Sequence, residues 1–196
     1  MINLEIYDRD FVNPKPKVFN GIAVMTPPKN ASSYIQLYHG ATKMDWTQTE
    51  YHSKLAIKRD PIDRWCGSIN QQKSRMRWDV WSDNENDIAY WDRDPNDIVN
   101  DHMPEDSPIR QISEFCGQYE WAGEPITEYD DAFYVYEVSD MLPMLGLEDD
   151  NSPIGNKFKN RTSDKIDNPV TIGDLTPITK EKIMFIYQDD YQNGWK

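Results

Sequence analysis

Short apolar blocks alternate along the chain with segments whose apolar residues recur every three or four positions. Residues 21–25 (Gly-Ile-Ala-Val-Met) and 53–58 (Ser-Lys-Leu-Ala-Ile-Lys) predict buried strands, and a third strand is predicted over residues 132–136. We expect the first strand to end at Thr26-Pro27-Pro28, because proline cannot donate to the hydrogen-bond ladder of a sheet.

Helices are predicted between and after these strands. Asp60-Pro61 opens a helix after the second strand, since proline suits the first helical turn, and Ile62, Trp65 and Ile69 share one of its faces. Further helices are predicted over residues 31–38, over 107–116 with Ser107 as N-cap, from Ser139 or Asp140 to Leu145 with Gly146 as its stop, and from Thr176-Pro177 to about Tyr191. Residues 78–108 are interpreted as mostly loop with short helical pieces, and residues 151–170 as a loop.

The alternation of strands and helices predicts an α/β fold with a mainly parallel central sheet flanked by helices. The chain has 196 residues, and about 100–200 residues is the usual size of one domain. We therefore expect a single domain over residues 1–196.

The balance of charge excludes several kinds of partner. Lysine and arginine number 21 against 34 aspartates and glutamates, which gives a net charge of −13. Nucleic-acid binding and polybasic membrane contact both need a basic face. No apolar run approaches the roughly 18 residues of a membrane span, and residues 1–10 lack the apolar core of a secretory signal. We expect a soluble cytoplasmic protein with no nucleic-acid or membrane partner.

Cys66 and Cys116 are the only cysteines, and neither lies in a Cys-x-x-Cys motif. Two thiols do not complete a four-ligand zinc site, so no metal site is predicted. We interpret both as reduced thiols of a cytoplasmic protein.

The first candidate for chemistry is the loop after the first strand, Pro28-Lys29-Asn30-Ala31-Ser32-Ser33. A strand that feeds a helix through such a loop aims backbone N–H groups at an anion, and the helix dipole favours negative charge there. Lys29 adds a cation, and Ser32 and Ser33 add hydroxyl donors. The loop predicts a phosphate site, although it is not a Walker A loop. The alternative is a solvated lysine beside an ordinary N-cap.

The second candidate follows the second strand, Lys58-Arg59-Asp60-Pro61-Ile62-Asp63-Arg64-Trp65-Cys66-Gly67-Ser68. Arg59 stands at the carboxyl end of the strand, where ligands bind in open α/β sheets, and its planar guanidinium suits a phosphate. Ser68 lies two helical turns further and is a second donor. The alternative is a surface pair between Arg59 and Asp63 with a solvated Ser68.

Together these segments resemble the PAPS-dependent sulfotransferases, in particular the carbohydrate-type branch. PKNASS is similar to the family's 5′-phosphosulfate loop, and RDPIDR with the following serine is similar to its 3′-phosphate loop. Two later stretches, YDDAFYVYEVSDML and IYQDDYQNG, resemble the family's next strand and helix and its C-terminal ending. The four segments occur in the family's order between Gly21 and Trp195.

The resemblance implies a P-loop-like fold and the cofactor 3′-phosphoadenosine 5′-phosphosulfate, PAPS. Lys29 would bind the 5′-phosphate and stabilise the leaving group, with Asn30, Ala31, Ser32 and Ser33 in the same loop. Arg59 would bind the 3′-phosphate together with Ser68, which stands one position beyond the family's usual spacing. Lys159 and Arg161 would belong to a late loop that covers the nucleotide, unless residues 157–163 are simply a solvated basic loop.

The resemblance also implies a general base for the acceptor hydroxyl, a histidine or glutamate between the two phosphate loops. The candidates there are His39, Glu50 and His52. His39, in Tyr-His-Gly, is preferred, His52 is second, and His102 is a third candidate further along. Gln118 is expected to orient the acceptor, and a sugar ring is expected to stack on Trp78, Trp81, Trp91 or Trp121. The alternative for each is an ordinary structural side chain.

The expected function is transfer of a sulfuryl group from PAPS to a hydroxyl of a sugar or a small metabolite. One alternative is a sulfotransferase-like module that binds the nucleotide without turnover, which the short interval between the loops and the shifted serine motivate. A kinase-like phosphotransferase is another, for which dependence on ATP and Mg²⁺ would be diagnostic.

Overall fold

The computed structural model describes residues 16–31, 35, 42–43, 50–78, 89–149 and 166–196, without the side chains of residues 42, 43, 75–78, 111 and 113. The described residues belong to two compact units. The sheet unit comprises those of Phe11–Asp60, Gln118–Arg161 and Asp189–Lys196, and the helical unit comprises those of Pro61–Gly117 and Thr162–Gln188.

The sheet unit contains a five-stranded sheet in the order β3-β1-β2-β4-β5. Its strands are β1 (Lys17–Phe19), β2 (Ile22–Met25), β3 (Thr42–Lys43), β4 (Ser53–Lys58) and β5 (Asp131–Tyr134). The three strands predicted from apolar blocks, β2, β4 and β5, run parallel to one another, whereas β1 is antiparallel to β2 and to β3. The α/β class and the parallel central strands are thus confirmed.

A hairpin that the sequence analysis missed joins β1 to β2. Phe19 pairs with Ile22, so only Asn20 and Gly21 form the turn, with φ angles of 47° and 77°. Positive φ at both positions is typical of a type I′ turn, for which Asn-Gly is the favoured pair. A Cβ at Gly21 would lie 2.7 Å from Nδ1 of His52, so a side chain there would have to displace the exposed imidazole ring.

The helices are α1 (Pro61–Trp78), α2 (Pro95–His102), α3 (Gln118–Ala122), α4 (Val138–Met141), α5 (Pro177–Ile186) and α6 (Gln188–Gln192). The starts of α1 and α5 are as predicted, and the Thr176 side chain caps α5. α2 is a short helix within the stretch interpreted as mostly loop with short helical pieces. It forms there because the Asp94 side chain caps it and Pro95 suits its first turn. No helix in the described part of the chain is long and apolar enough to cross a membrane.

Several predicted boundaries are wrong. Residues 107–116 form two 3₁₀ turns, Pro108–Gln111 and Ser113–Phe115, rather than one helix, although Ser107 does cap the first. β5 ends at Tyr134, because the Glu137 carboxylate accepts from the Tyr134 N–H and starts a 3₁₀ turn. The last helix breaks at Tyr187. The predicted helix over 31–38 and the loop over 151–170 fall mostly outside the described residues.

Each unit has its own core. In the sheet unit, apolar residues of β2 and β4 pack with Val138, Met141, Leu142 and Leu145 on one side, and Met25 and Ala56 pack with Tyr129 and Trp195. In the helical unit, Trp65, Ile69, Trp91, Ile98 and Phe115 are among the fully buried residues.

Candidate anion-binding site

The register of the sheet brings Lys29 and Arg59 together. Met25 at the end of β2 pairs with Ala56 of the parallel strand β4, so the segments that follow both strands emerge at the same edge. Nη1 of Arg59 donates to the backbone carbonyl of Lys29 at 3.2 Å. Both side chains are half-buried. The Arg59 guanidinium therefore meets the backbone of the Lys29 loop at the carboxyl edge of the sheet.

The backbone of the Lys29 loop is strained. The N–H of Asn30 donates to the carbonyl of Pro27 at 3.0 Å, which closes a turn with Pro28 second and Lys29 third. Lys29 has a φ of 70°, which a type II turn requires at that position and which glycine normally supplies. Ala31 is also left-handed, with a φ of 55°. Such conformations persist where the surrounding structure fixes them, often at ligand sites.

Asn30 holds this loop from inside the protein. Its side chain is fully buried, and Nδ2 donates to the carbonyl of Ile57 at 2.7 Å and to Oε1 of Gln118 at 2.6 Å. Its backbone and side-chain donors are all used within the protein. Asn30 therefore shapes the loop and does not supply a donor to a phosphate, which corrects the role predicted for it.

Gln118, at the start of α3, is also fully buried. Its carboxamide bonds to the N–H and the carbonyl of Arg59 and to the carbonyl of Trp195. It holds the backbone of Arg59, whereas the sequence analysis expected it to orient the acceptor. The partners lie far away along the chain, so no local sequence pattern indicates this role.

Ser68 is placed differently from its prediction. It lies in α1 of the helical unit and is fully buried, with its hydroxyl 2.6 Å from the carbonyl of Glu114 and 3.0 Å from that of Arg64. The hydroxyl proton is committed to backbone carbonyls, so the structure does not support a contact between Ser68 and a phosphate.

His52 does not lie with Lys29 and Arg59. It immediately precedes β4, and its N–H donates to the carbonyl of Gly21 at 2.8 Å. A six-residue strand at about 3.3 Å per residue separates this end from the carboxyl edge by roughly 20 Å. His52 is therefore out of hydrogen-bond reach of a ligand held there. His39, Ser32, Ser33, Lys159 and Arg161 lie outside the described residues.

His102 is a structural residue of the helical unit. It is fully buried, and its Nδ1 accepts from the indole N–H of Trp65 at 3.1 Å. Burial, and then the charges of Arg110 and Arg64, lower the pKa of His102 to about 3. A neutral imidazole in edge contact with the Phe115 and Tyr187 rings is not placed to accept a proton from substrate.

The tryptophan predictions are corrected in part. Trp91 is fully buried in the core of the helical unit, and its ring stacks on Phe115 with centroids 5.6 Å apart. It therefore cannot receive a sugar. Trp121 is half-buried and packs against the core of the sheet unit that contains Met25, Ala56, Tyr129 and Trp195. The side chain of Trp78 and all of Trp81 lie outside the described part.

An aromatic surface that the sequence analysis missed lies at the carboxyl edge. Tyr134 ends β5 and pairs with Lys58 of β4, whose Nζ is 4.5 Å from the Tyr134 ring centroid. The ring of Tyr136 stacks on Tyr134 with centroids 5.1 Å apart, and Tyr136 is 75% exposed. An exposed ring stacked beside Lys58 suits a ligand that carries both a ring and phosphate.

Within the described ranges, no group of three or more histidine, cysteine, aspartate or glutamate side chains could hold a metal ion. Comparison with protein-family models, curated proteins and solved structures found no match to this chain. The arrangement at the carboxyl edge brings a half-buried arginine, whose planar guanidinium suits an anion, to the backbone of a lysine-bearing loop.

Proposed function

We propose that this protein is a PAPS-dependent sulfotransferase, which transfers a sulfuryl group to a hydroxyl of a sugar or a small metabolite. The observation that carries the proposal is the 3.2 Å hydrogen bond from the Arg59 guanidinium to the backbone carbonyl of Lys29, at the carboxyl edge of adjacent parallel strands. The resemblance of the two loops to the family's phosphate loops supports the same ligand.

The residues present fit this nucleotide in charge. PAPS carries phosphate groups at two positions of one ribose, and the site offers one cation for each. In a chain with a net charge of −13, a polyanion needs such a local pair of cations. Ser68 does not fit, so the 3′-phosphate would depend on Arg59 without the predicted serine.

In the reaction, the acceptor oxygen forms a bond to sulfur as the bond between sulfur and the 5′-phosphate oxygen breaks. Lys29 holds that phosphate and stabilises the charge that develops on it. Arg59 anchors the 3′-phosphate and so fixes the direction of the leaving group. His39, the base that the resemblance implies, takes the hydroxyl proton in this proposal.

A second candidate function is a nucleotide-binding module without turnover. Two observations favour it: the committed hydroxyl of Ser68 and the distance of His52 from the carboxyl edge.

The test is titration with 3′-phosphoadenosine 5′-phosphate, PAP, by calorimetry and thermal unfolding. A ligand that binds only the folded state at a hundredfold excess over Kd stabilises it by about 2.7 kcal/mol. We expect this gain in the wild type and its loss in Lys29→Ala and Arg59→Ala. The matched control is Lys54→Gln, which removes one positive charge at the opposite end of β4, where Lys54 pairs with Glu124 at 2.6 Å.

Absence of PAP binding to the folded wild type would overturn the proposal. Binding that survives in both variants would show that the nucleotide uses another site. Transfer of labelled sulfuryl groups to a panel of hydroxyl acceptors then separates the enzyme from the binding module, and stabilisation by ATP with Mg²⁺ in place of PAP would favour a phosphotransferase.

A further inference from the structure

Gln118 uses its whole hydrogen-bonding capacity at the candidate site. A carboxamide has two N–H donors and two acceptor lone pairs. Oε1 accepts from the N–H of Arg59 at 2.9 Å and from Nδ2 of Asn30 at 2.6 Å. Nε2 donates to the carbonyl of Arg59 at 2.8 Å and to that of Trp195 at 2.6 Å. Because an N–H only donates and a carbonyl only accepts, these partners also fix which end of the amide is oxygen.

The bonds to Arg59 replace a strand partner. β4 ends at Lys58, and Arg59 is the next residue. A side chain that bonds both the N–H and the carbonyl of one residue reproduces the pairing that a neighbouring strand would provide. Gln118 therefore fixes the backbone of Arg59, and with it the origin of the guanidinium, at a position where the sheet no longer does.

Oε1 of Gln118 also accepts a hydrogen bond from the Lys29 loop, through Nδ2 of Asn30. Asn30 follows Lys29, and its Nδ2 divides its two hydrogens between Gln118 and the carbonyl of Ile57 on β4. The Lys29 loop and Arg59 are thus tied to one buried carboxamide. Gln118 also donates to the carbonyl of Trp195, a residue with a fully buried side chain. This bond anchors the carboxamide to the C-terminal segment.

We propose that Gln118 is the positioning residue that sets the separation of Lys29 and Arg59, so that both cations engage one ligand with two phosphate groups. It contacts no ligand itself and acts through Asn30 and the backbone of Arg59. This inference rests on the proposed function for the identity of the ligand. It deepens that function, because it names Gln118 as the residue through which the site selects a nucleotide with a second phosphate group.

The test compares two ligands that differ in the second phosphate. PAP engages both cations, whereas adenosine 5′-monophosphate, AMP, engages only Lys29. We expect Gln118→Leu to weaken PAP by roughly tenfold to a hundredfold, the scale of losing one hydrogen bond between charged groups, and to leave AMP close to its wild-type affinity. Asn30→Ala removes only the arm to the Lys29 loop and should give a smaller loss of the same kind.

The matched control is Gln192→Leu, the same change at an exposed glutamine of α6 in the sheet unit. Amide hydrogen exchange supplies a reading that needs no ligand: in Gln118→Leu the Arg59 N–H should exchange rapidly while Leu55–Ile57 stay protected. A purely structural role would raise exchange along all of β4 and weaken PAP and AMP alike.

A double-mutant cycle completes the test. On an Arg59→Ala background, Gln118→Leu should weaken PAP little further, since the contact that it positions is already lost. Equal loss of both ligands, or full additivity with Arg59→Ala, overturns the inference and leaves the proposed function in place. A folded wild type that binds neither ligand overturns both.

Discussion

Two arginines from one stretch of sequence, Arg59 and Arg64, differ in what the two units do with them. Arg64, in the helical unit, is fully buried and donates to the carbonyls of Glu114 and Cys116, with its guanidinium 5.0 Å from the centroid of the Tyr187 ring. Arg59, in the sheet unit, is half-buried, and its backbone rather than its guanidinium is held by Gln118. The same residue type stabilises a core in one place and is presented at an edge in the other.

The contrast extends to the other residues with predicted chemistry. In the helical unit, Ser68 and His102 are fully buried and bonded within the protein. In the sheet unit, buried carboxamides hold a left-handed Lys29 beside Arg59. The two groups of residues differ in burial: Ser68 and His102 are fully buried, whereas Lys29 and Arg59 are half-buried and in part exposed to solvent.

The largest difference in stability should come from replacing one aromatic residue of each unit with alanine. Trp91→Ala should cost about 3–5 kcal/mol of unfolding free energy, because it empties a fully buried position stacked on Phe115. Tyr136→Ala, at a side chain 75% exposed, should stay within about 0.5 kcal/mol. Urea unfolding of both variants without ligand measures this. A small cost at Trp91 would contradict its assignment to the core.

The two arginines give the next effect. Arg64→Ala removes a donor from the buried carbonyls of Glu114 and Cys116, and the Glu114 carbonyl keeps the Ser68 hydroxyl. At about 1–3 kcal/mol for one unsatisfied buried group, we expect a loss of about 1–3 kcal/mol. Arg59→Ala should change stability by less than about 1 kcal/mol and yet remove the stabilisation by PAP. The comparison fails if Arg64→Ala remains fully stable, or if Arg59→Ala unfolds the protein before binding is measured.

Acid should act through the helical unit. The pKa of His102 lies near 3 in the folded protein against 6.5 in the unfolded chain, so the unfolded state binds the extra proton. The contribution of a neutral His102 to the free energy of unfolding is therefore fully present above pH 6.5 and is lost as the pH drops towards 3. Between pH 7 and pH 5, titration of His102 should lower the free energy of unfolding by about 2 kcal/mol.

His102→Gln, which keeps an acceptor for the Trp65 indole, should remove that part of the pH dependence. The control is His52→Gln at an exposed side chain of the sheet unit. Parallel stability curves for the wild type and His102→Gln over this range would show that His102 is not the acid-sensitive group.

The sequence predicted those parts of the site that depend on local pattern. The apolar blocks predicted the strands β2 and β4, and the polar segments after these strands identified Lys29 and Arg59 as candidate cations. The sequence did not predict β1, although Asn20-Gly21 is a strong hairpin signal, because Lys17–Phe19 is too short to show a period.

Gln118 could not be assigned from local pattern, since its partners Arg59 and Trp195 are 59 and 77 positions away. Ser68 failed for the opposite reason. Its place two helical turns after Arg59 suggested a second phosphate donor, but this local position does not reveal that the carbonyl of Glu114, 46 positions later, accepts from the hydroxyl. Tertiary packing decided both cases.

The smallest effect tests the strained loop itself. Lys29 and Ala31 have φ angles of 70° and 55°, which cost a residue with a side chain roughly 1–2 kcal/mol and cost glycine almost nothing. Glycine also gains entropy in the unfolded chain, so we expect Lys29→Gly to be more stable than Lys29→Ala by only about 0.5–1 kcal/mol. Ala31→Gly should gain a similar amount of unfolding free energy over the wild type.

Only the Lys29 variants should lose affinity for PAP, which calorimetry on the same samples would show. If glycine destabilises at both positions, the left-handed backbone is not a source of strain. If Ala31→Gly also loses PAP, the strain itself fixes the loop for binding, and the Lys29 charge does not account for affinity alone.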